Sequence, residues 1–357
     1  MLEKEYQDRR RLACADLQAR TWDGLVVSTP VNVRYLSGFT GSSAALVLEP
    51  GGQALLFTDP RYAIQAGEET GCRVRVVKGP LPTAVSRHLA RRRLRRIGFE
   101  NTRISFAAHQ ELSRGATLEP AETLIEDRRM IKSPAEIELI RQSMLVASRA
   151  YDRVIRAVRP GMTEAAVAAE LDHQMRRLGA EGPAFPTIVA AGPRSALPHA
   201  SPGPVALKAN QLLLIDMGAS RNGYASDMTR TVFLGRPAVK AGKMYRAVLE
   251  AQQAAIATVR DGVQAAAVER AARRRLRADG LDRAFVHSTG HGLGLEIHEA
   301  PRIGRRDKTL LRAGMVVTIE PGVYLEGYGG IRIEDTVAVT ADGCEVLTPN
   351  SKELAAL

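Results

Sequence analysis

Five side chains in the C-terminal half of the chain, Asp216, Asp227, His291, Glu320 and Glu334, have the chemistry of ligands for divalent cations. Four carboxylates with one imidazole suit two hard or borderline ions, since oxygen donors dominate and one nitrogen is included. Asp216 and Asp227 lie on QLLLIDMGASRNGYASDMTRTVFL, almost symmetric about a turn near Arg221-Asn222-Gly223. Two antiparallel strands would set them opposite or diagonal, with Cβ atoms about 5 to 8 Å apart. Glu320 and Glu334 are symmetric about Gly327, inside the glycine-rich GYGG. Paired acids on apolar strands repel and are costly to desolvate unless a cation neutralises them. For one pair alone, a metal and an arginine (Arg230 or Arg332) serve equally well. Two symmetric pairs with a suitable histidine favour metal.

The stretch HSTGHGLGLEIHEAPR holds three of the seven histidines, His287, His291 and His298. His291 stands between Gly290 and Gly292, with Gly294 following, so the backbone is expected to approach an ion closely and His291 to be the ligand. His287 and His298 would then stand beside the metals as hydrogen-bonding or proton-transferring groups. His199, in SALPHASPG, sits in a segment rich in proline and glycine that suits a residue reaching over a site.

The elements that must position these residues are legible in outline. A chain of 357 residues, 45% apolar and 25% charged, is expected to be globular with two domains. In the first third, strand-like pieces at 25–27, 44–48, 54–57, 74–77 and 97–99 alternate with helical patterns around 61–69, 81–94 and 105–114, which predicts an α/β domain. At the boundary, Ser133 as N-cap, Pro134 at the first helical position and Glu136 three residues after the cap form a capping box. Beyond it the chain repeats itself. Helices at 134–158 and from Thr163 to Gly179 match helices at 241–260 and from about 263 to Gly280, and RPGMTEAAV parallels RDGVQAAAV. Each helix pair precedes one acid-bearing hairpin, so an internal two-fold repeat is expected.

Composition narrows the function classes. No apolar run approaches the roughly 20 residues needed to cross a bilayer. The opening MLEKEYQDRRR is charged and lacks the apolar stretch of a secretory signal, which predicts a cytoplasmic address. Cys14, Cys72 and Cys344 are too dispersed for a disulfide framework or a thiolate metal site. Net charge is +11, with arginine clusters at 91–96 and 273–277. Both are read as solvated helix faces, because each is flanked by leucine and alanine at helical spacing and no aromatic platform interleaves with them. Nucleic acid is therefore not the expected partner.

LLLIDMGA, YASDMTRT, GHGLGLEIHE, VVTIEPGVY and GIRIEDT, in that order, resemble the signature segments of the pita-bread metallopeptidases, over about residues 133–357. NVRYLSGFTGS and FTDPRYAIQA resemble the creatinase-like N-terminal domain of the proline-specific branch of that family. The resemblance implies a creatinase-like α/β domain at 1–130 and an α+β pita-bread catalytic domain at 131–357 with an internal pseudo-two-fold repeat. It implies that Asp216 chelates one metal, that Asp227 and Glu334 bridge two, and that His291 and Glu320 complete the second, with manganese or cobalt ahead of zinc. Glu320 would accept the proton of the attacking water, while His199 and His298 steady the scissile carbonyl. Arg332, two residues from Glu334 and on the same strand face, would orient the bridging acids. Arg302, in HEAPRIG, would pair with a free carboxylate and His287 would contact substrate. The expected activity is metallo-exopeptidase cleavage of the Xaa-Pro bond of dipeptides by a homodimer. The alternatives are aminopeptidase P-type cleavage of Xaa-Pro-Xaa peptides and, more remotely, a metal-free binding protein on the same fold.

Overall fold

The computed structural model describes residues 3–357; Met1 and Leu2, which open the charged N-terminal stretch, lie outside the described residues. The chain divides into two compact units, Met1–Arg129 and Met130–Leu357.

The N-terminal unit is built on six strands, β1 (Gly24–Val27), β2 (Ala44–Leu48), β3 (Ala54–Thr58), β4 (Arg73–Val76), β5 (Arg96–Phe99) and β6 (Thr117–Pro120), in the spatial order β4-β3-β2-β1-β5-β6. The β2–β3 hairpin and the β1–β2 pair are antiparallel, and the outer pairs are parallel. Helices α1 (Glu3–Ala19), α2 (Pro30–Ser37), α3 (Ala63–Glu69), α4 (Leu81–Arg92), α5 (Phe106–Ser113) and α6 (Leu124–Met130) accompany the sheet. Val26, Val47 and Phe57 of the sheet share a core with Val85 and Leu89 of α4 and Leu112 of α5. The charged α1 is not an exposed helix. Its Arg9 and Arg10 are buried and donate to the carbonyls of Tyr35 and Leu36, at 3.0 and 2.8 Å. A guanidinium at each satisfies carbonyls that the end of α2 leaves unpaired.

The C-terminal unit opens with α7 (Pro134–Ile155), whose N-terminus carries the capping box: Ser133 and Glu136 each accept from the other's backbone N–H. Helix α8 (Glu164–Arg177) follows, and the later pair is α9 (Val239–Ile256) and α10 (Ala265–Ala278). The two halves match in their backbone. Gly161 and Gly262 precede the second helix of each pair at φ +95° and +77°, and Gly179 and Gly280 follow it at +97° and +70°. Only glycine reaches this left-handed region without strain. Gly161 donates to Leu207 and Gly262 to Leu311, and the Thr163–Ala206 bridge has its counterpart in Gln264–Leu310.

The remaining strands are β7 (Gly182–Pro183), β8 (Ile188–Ala191), β9 (Gln211–Met217), β10 (Ala219–Arg221), β11 (Tyr224–Ala225), β12 (Met228–Leu234), β13 (Gly290–Gly292), β14 (Glu299–Ile303), β15 (Val316–Ile319), β16 (Gly322–Leu325), β17 (Gly329–Arg332), β18 (Asp335–Val339) and β19 (Cys344–Val346). Helices α7 and α8 bury Met144, Val167 and Leu171 against β8, β9 and β12. Helices α9 and α10 bury Val248, Val268 and Leu276 against Val317, Ile319 and Ile331. Each acid-bearing hairpin is thus backed by one helix pair. The fold is a pita-bread unit of two related halves, with the acids on the strands between them.

One of the two arginine runs departs from the solvated-face expectation. Arg91, Arg92, Arg93, Arg95 and Arg96 are exposed, but Arg273 on α10 is buried, paired with Glu269 and donating to the carbonyls of Phe285 and His287 at 2.8 Å. Periodicity hid this, because a guanidinium can leave a helix face to satisfy a neighbouring loop's carbonyls.

Candidate metal centre

The hairpin arithmetic resolves into two different pairings. Strands β9 and β12 place Asp216 opposite Thr229, so Asp227, two residues earlier, lies diagonally from Asp216. In the second hairpin Ile319 pairs with Asp335 and Gly322 with Arg332. Glu320 and Glu334 therefore occupy directly opposed positions where the ladder passes from the five-stranded sheet to the two-stranded arm.

His291 is central. It lies in the short strand β13, and its glycine neighbours serve the strands on either side. A Cβ on Gly290 would fall 1.9 Å from the Thr318 carbonyl oxygen, and one on Gly292 would fall 2.2 Å from that of Ala300. The glycines make room for backbone, a different reason from the close approach to an ion anticipated from sequence. His291 Nδ1 donates to the Gly292 carbonyl at 3.0 Å, which leaves Nε2 as the lone-pair nitrogen. That Nε2 faces Asp227 Oδ2 at 3.5 Å and Glu320 Oε1 at 3.4 Å. Donor atoms of Asp227, His291 and Glu334 all lie within 4.8 Å of one another.

Burial turns this proximity into an electrostatic demand. Burial, reinforced by Asp216 and Glu320, holds the Asp227 carboxyl well above the usual carboxylate range. Glu334 is displaced in the same direction by burial and then by Asp227, Glu320 and Asp216. Glu320 is raised mainly by burial, against the opposing pull of His291 and Arg332. Arg332 answers part of the charge. Its Nη2 donates to Asp216 Oδ2 at 2.6 Å and its Nε lies 3.9 Å from Glu320 Oε2. Arg230, the other arginine considered for these acids, pairs with Asp335 instead, at 2.9 Å. One oxygen of each of three acids is buried and without any partner: Asp216 Oδ1, Asp227 Oδ1 and Glu334 Oε1. Three orphaned acceptors beside an imidazole lone pair fit divalent cations, as arginine alone does not satisfy them.

Two residues absent from the sequence-derived set complete the network. Thr229 Oγ1 accepts from Arg332 Nε at 3.0 Å and donates to Glu334 Oε2 at 2.6 Å. Tyr324 Oη accepts from Arg332 Nη1 at 2.7 Å and lies 2.8 Å from His287 Nε2. His287 Nδ1 donates to the Ser288 carbonyl at 2.8 Å, so its Nε2 is the acceptor for Tyr324. Burial and the nearby Arg332 charge push the His287 pKa down to about 4, and it stays neutral. Both lay within segments already singled out, Thr229 in YASDMTRT and Tyr324 at the end of VVTIEPGVY, and that was the signal available for them.

A cavity of about 750 Å³ opens above these groups. Asp216, Asp227, His291, Glu320 and Arg332 reach it from the floor, His199, His287, His298 and Arg302 from the walls, and Phe185 and Ile188 supply apolar surface. Of the residues expected from sequence to bind metal or substrate or to act in catalysis, all contribute to the lining except Glu334, which lies beneath at 1% exposure. The His298 ring stands edge-on to His291 with centroids 4.4 Å apart. Burial, then the His291 and His199 rings, lowers the His298 pKa. The loop bearing His199 is braced by buried Glu164, which accepts from Ala191 N at 2.9 Å, Arg194 Nε at 3.0 Å and Gly203 N at 3.2 Å.

A pita-bread unit with a buried acid and histidine cluster under an open, partly apolar cavity defines the class of metal-dependent hydrolases. Residues 138–341 match the model of Metallopeptidase family M24, and residues 9–131 match the Creatinase/Prolidase N-terminal domain. The chain belongs to Metallopeptidase family M24, which implies use of divalent metal. It is 38% identical over 335 residues to an Xaa-Pro dipeptidase of Pyrococcus furiosus, an alignment covering 93% of this chain and 95% of that protein. Among solved structures it is similar to an Xaa-Pro dipeptidase from Bacillus anthracis, with a TM-score of 0.95 at 34% identity over 100% of both chains. It also resembles an X-Pro aminopeptidase from Thermotoga maritima, with a TM-score of 0.90 at 36% identity, over 94% of this chain and 98% of that one. Among the described residues, no helix is long and apolar enough to cross a membrane.

Proposed function

We propose that the protein is a dinuclear-metal exopeptidase that hydrolyses the Xaa-Pro bond of dipeptides. The observation carrying this reading is the set of orphaned acid oxygens around the free His291 Nε2, in a chain similar to Xaa-Pro dipeptidases. Asp216, Asp227, His291, Glu320 and Glu334 would hold two divalent ions, which a mostly oxygen donor set with one imidazole keeps hard or borderline; the family resemblance puts manganese or cobalt ahead of zinc. Such ions, when bound, supply Lewis acidity, polarising the scissile carbonyl and acidifying water.

The chain's own residues do the rest. Glu320 takes the proton of the attacking water on a carboxylate oxygen and delivers it to the departing proline nitrogen. N–H groups of His199 and His298 donate to the scissile oxygen as negative charge develops on it. Arg332, through Asp216 and through Thr229, keeps the acids from rotating out of register. The exposed Arg302 pairs bidentately with the free carboxylate of the proline, and His287 contacts substrate beside it. The catalytic domain in this reading is 131–357, with 1–130 as the creatinase-like domain of a cytoplasmic homodimer.

The likeness to an X-Pro aminopeptidase supports a second reading, removal of the first residue from Xaa-Pro-Xaa peptides. Hydrolysis of Ala-Pro and Ala-Pro-Ala, with manganese, cobalt and zinc each supplied in turn, tests both. Preference for the tripeptide would overturn the first reading, and no cleavage of either with any metal would overturn both.

A further inference from the structure

The wall that carries Arg302 has a second concavity on its other side. His287, Ser288 and Arg302 line both the site cavity and a neighbouring basin of about 520 Å³. Arg283, Arg305 and Arg306 also line that basin, and all three are exposed, as Arg302 is. Its floor is partly apolar, with Phe285 buried and Val286 66% exposed.

The charge in the basin is unbalanced. Arg273 lines it too, but is committed to Glu269 and to the carbonyls of the 285–287 segment. Arg305 approaches the same Glu269 only at 3.9 Å, and that carboxylate already accepts from Arg273 and Thr289. Arg283, Arg302 and Arg306 make no side-chain ion pair among the described residues. The other acid is Asp307, whose two oxygens accept the backbone N–H groups of Arg302 and Thr309. Four guanidinium groups thus surround one carboxylate in a recess, where low-dielectric walls concentrate their field. They would repel one another less with an anion among them. A planar fork of N–H donors selects carboxylates in particular.

Arg302, which in the reading above pairs with the carboxylate that ends an Xaa-Pro dipeptide, lines both the site cavity and this recess. A dipeptide's own carboxylate reaches Arg302 and has nothing further to place. A residue added after proline removes that carboxylate, passes Arg302 and carries its terminal and side-chain carboxylates towards Arg305 and Arg306. We propose that this basin is a subsite for an acidic residue following proline, so that Xaa-Pro-Glu and Xaa-Pro-Asp peptides are substrates, with Arg305 and Arg306 as specificity-determining residues. The inference rests on the Xaa-Pro reading above and extends its substrate class.

Two measurements test it separately from that reading. The first compares kcat/KM for Ala-Pro, Ala-Pro-Glu and Ala-Pro-Lys in the wild type and in an Arg305→Ala, Arg306→Ala double variant. Two screened ion pairs, each contributing up to about fivefold, set the wild-type preference for Ala-Pro-Glu over Ala-Pro-Lys at roughly tenfold. The double variant should lose that preference while cleaving Ala-Pro within about twofold of wild type, and Arg305→Lys, Arg306→Lys should retain most of it, as both exposed side chains tolerate replacement. Equal cleavage of the two tripeptides, or a preference that survives in the alanine variant, overturns the proposal. The second is a calorimetric titration with Pro-Glu and Pro-Lys, which needs no catalysis. If no Ala-Pro peptide is cleaved but Pro-Glu binds tightly and depends on the two arginines, the proposed function fails and the subsite stands. If the peptides are cleaved but Pro-Glu binds no better than Pro-Lys, the subsite fails alone.

Discussion

Stripping the metal and raising the pH should weaken the centre of the C-terminal unit, and the size of the effect follows from the buried acids. Asp227, Glu320 and Glu334 are each held above the ordinary carboxylate range, chiefly by burial. In the unfolded chain such groups release protons near pH 4, while the metal-free fold keeps them to higher pH. Between those limits the folded state binds more protons, so its stability is full below about pH 4 and is lost as pH rises through the folded pKa values. Each retained proton costs about 1.4 kcal/mol for every pH unit over which the fold holds it after the unfolded chain has released it. His287 acts in the opposite sense, because a histidine kept neutral by a pKa near 4 loses stability as pH falls below about 6.5.

The variant Glu334→Gln isolates the acids. It keeps an oxygen for the Thr229 hydroxyl and leaves His287 untouched, but removes one buried charge. In chelator, urea unfolding of wild type and variant should coincide near pH 4 and diverge as pH rises, the variant gaining up to about 1.4 kcal/mol for each pH unit over which the folded wild type retains the Glu334 proton. Saturating divalent metal should reverse the order, and the variant should lose peptidase activity. The single tryptophan, Trp22, belongs to the N-terminal unit, so unfolding should be followed by hydrogen exchange of β9 and β12 amides, pulse-labelled at one common pH. Parallel stability curves for the two proteins without metal would refute the electrostatic reasoning.

Other expectations follow from single contacts. Glu320→Ala should abolish hydrolysis of Ala-Pro while leaving the far-ultraviolet circular dichroism unchanged; appreciable turnover would remove Glu320 as proton carrier. Tyr324→Phe removes the hydroxyl shared by Arg332 and His287 and should lower kcat about tenfold with little change in KM, whereas unchanged kcat would make that contact ornamental. Arg273→Ala leaves Glu269 buried without its cation and frees the 285–287 carbonyls, so denaturant titration should show a loss of about 3 to 5 kcal/mol. A loss below about 1 kcal/mol would mean the buried pair is better solvated than its burial suggests.

The ligand-type residues were legible because carboxylate and imidazole carry their chemistry in any context, and hairpin symmetry supplies the geometry without a fold. That symmetry put Glu320 opposite Glu334 and allowed the diagonal setting that Asp216 and Asp227 adopt. The helix pairs were marked by the Ser133 capping box and by glycines that the backbone holds at positive φ. What escaped were residues whose role exists only in relation to distant partners. Thr229 and Tyr324 are ordinary strand residues until Arg332 lies beside both. Arg9, Arg10 and Arg273 were concealed because a charged run on a helix is normally solvated, and these three serve carbonyls of neighbouring segments instead. The glycines flanking His291 serve a purpose that their sequence does not display, relief of crowding against the Thr318 and Ala300 carbonyls of the two neighbouring strands.

The opposed placement of Glu320 and Glu334 also constrains where this chain can change length. Everything beyond the pair is an arm: β16 runs out, the chain reverses through Glu326, Gly327 and Tyr328, and β17 returns. Residues inserted at that reversal extend the arm and leave the two acids facing each other. A single residue inserted within either limb forces a bulge or a one-step slip, and a slip turns every side chain below it, including one of the acids, to the opposite face of the ribbon. The tip can therefore vary in length, whereas the count of residues from Glu320 to Leu325 and from Gly329 to Glu334 has to stay matched, whatever those residues are.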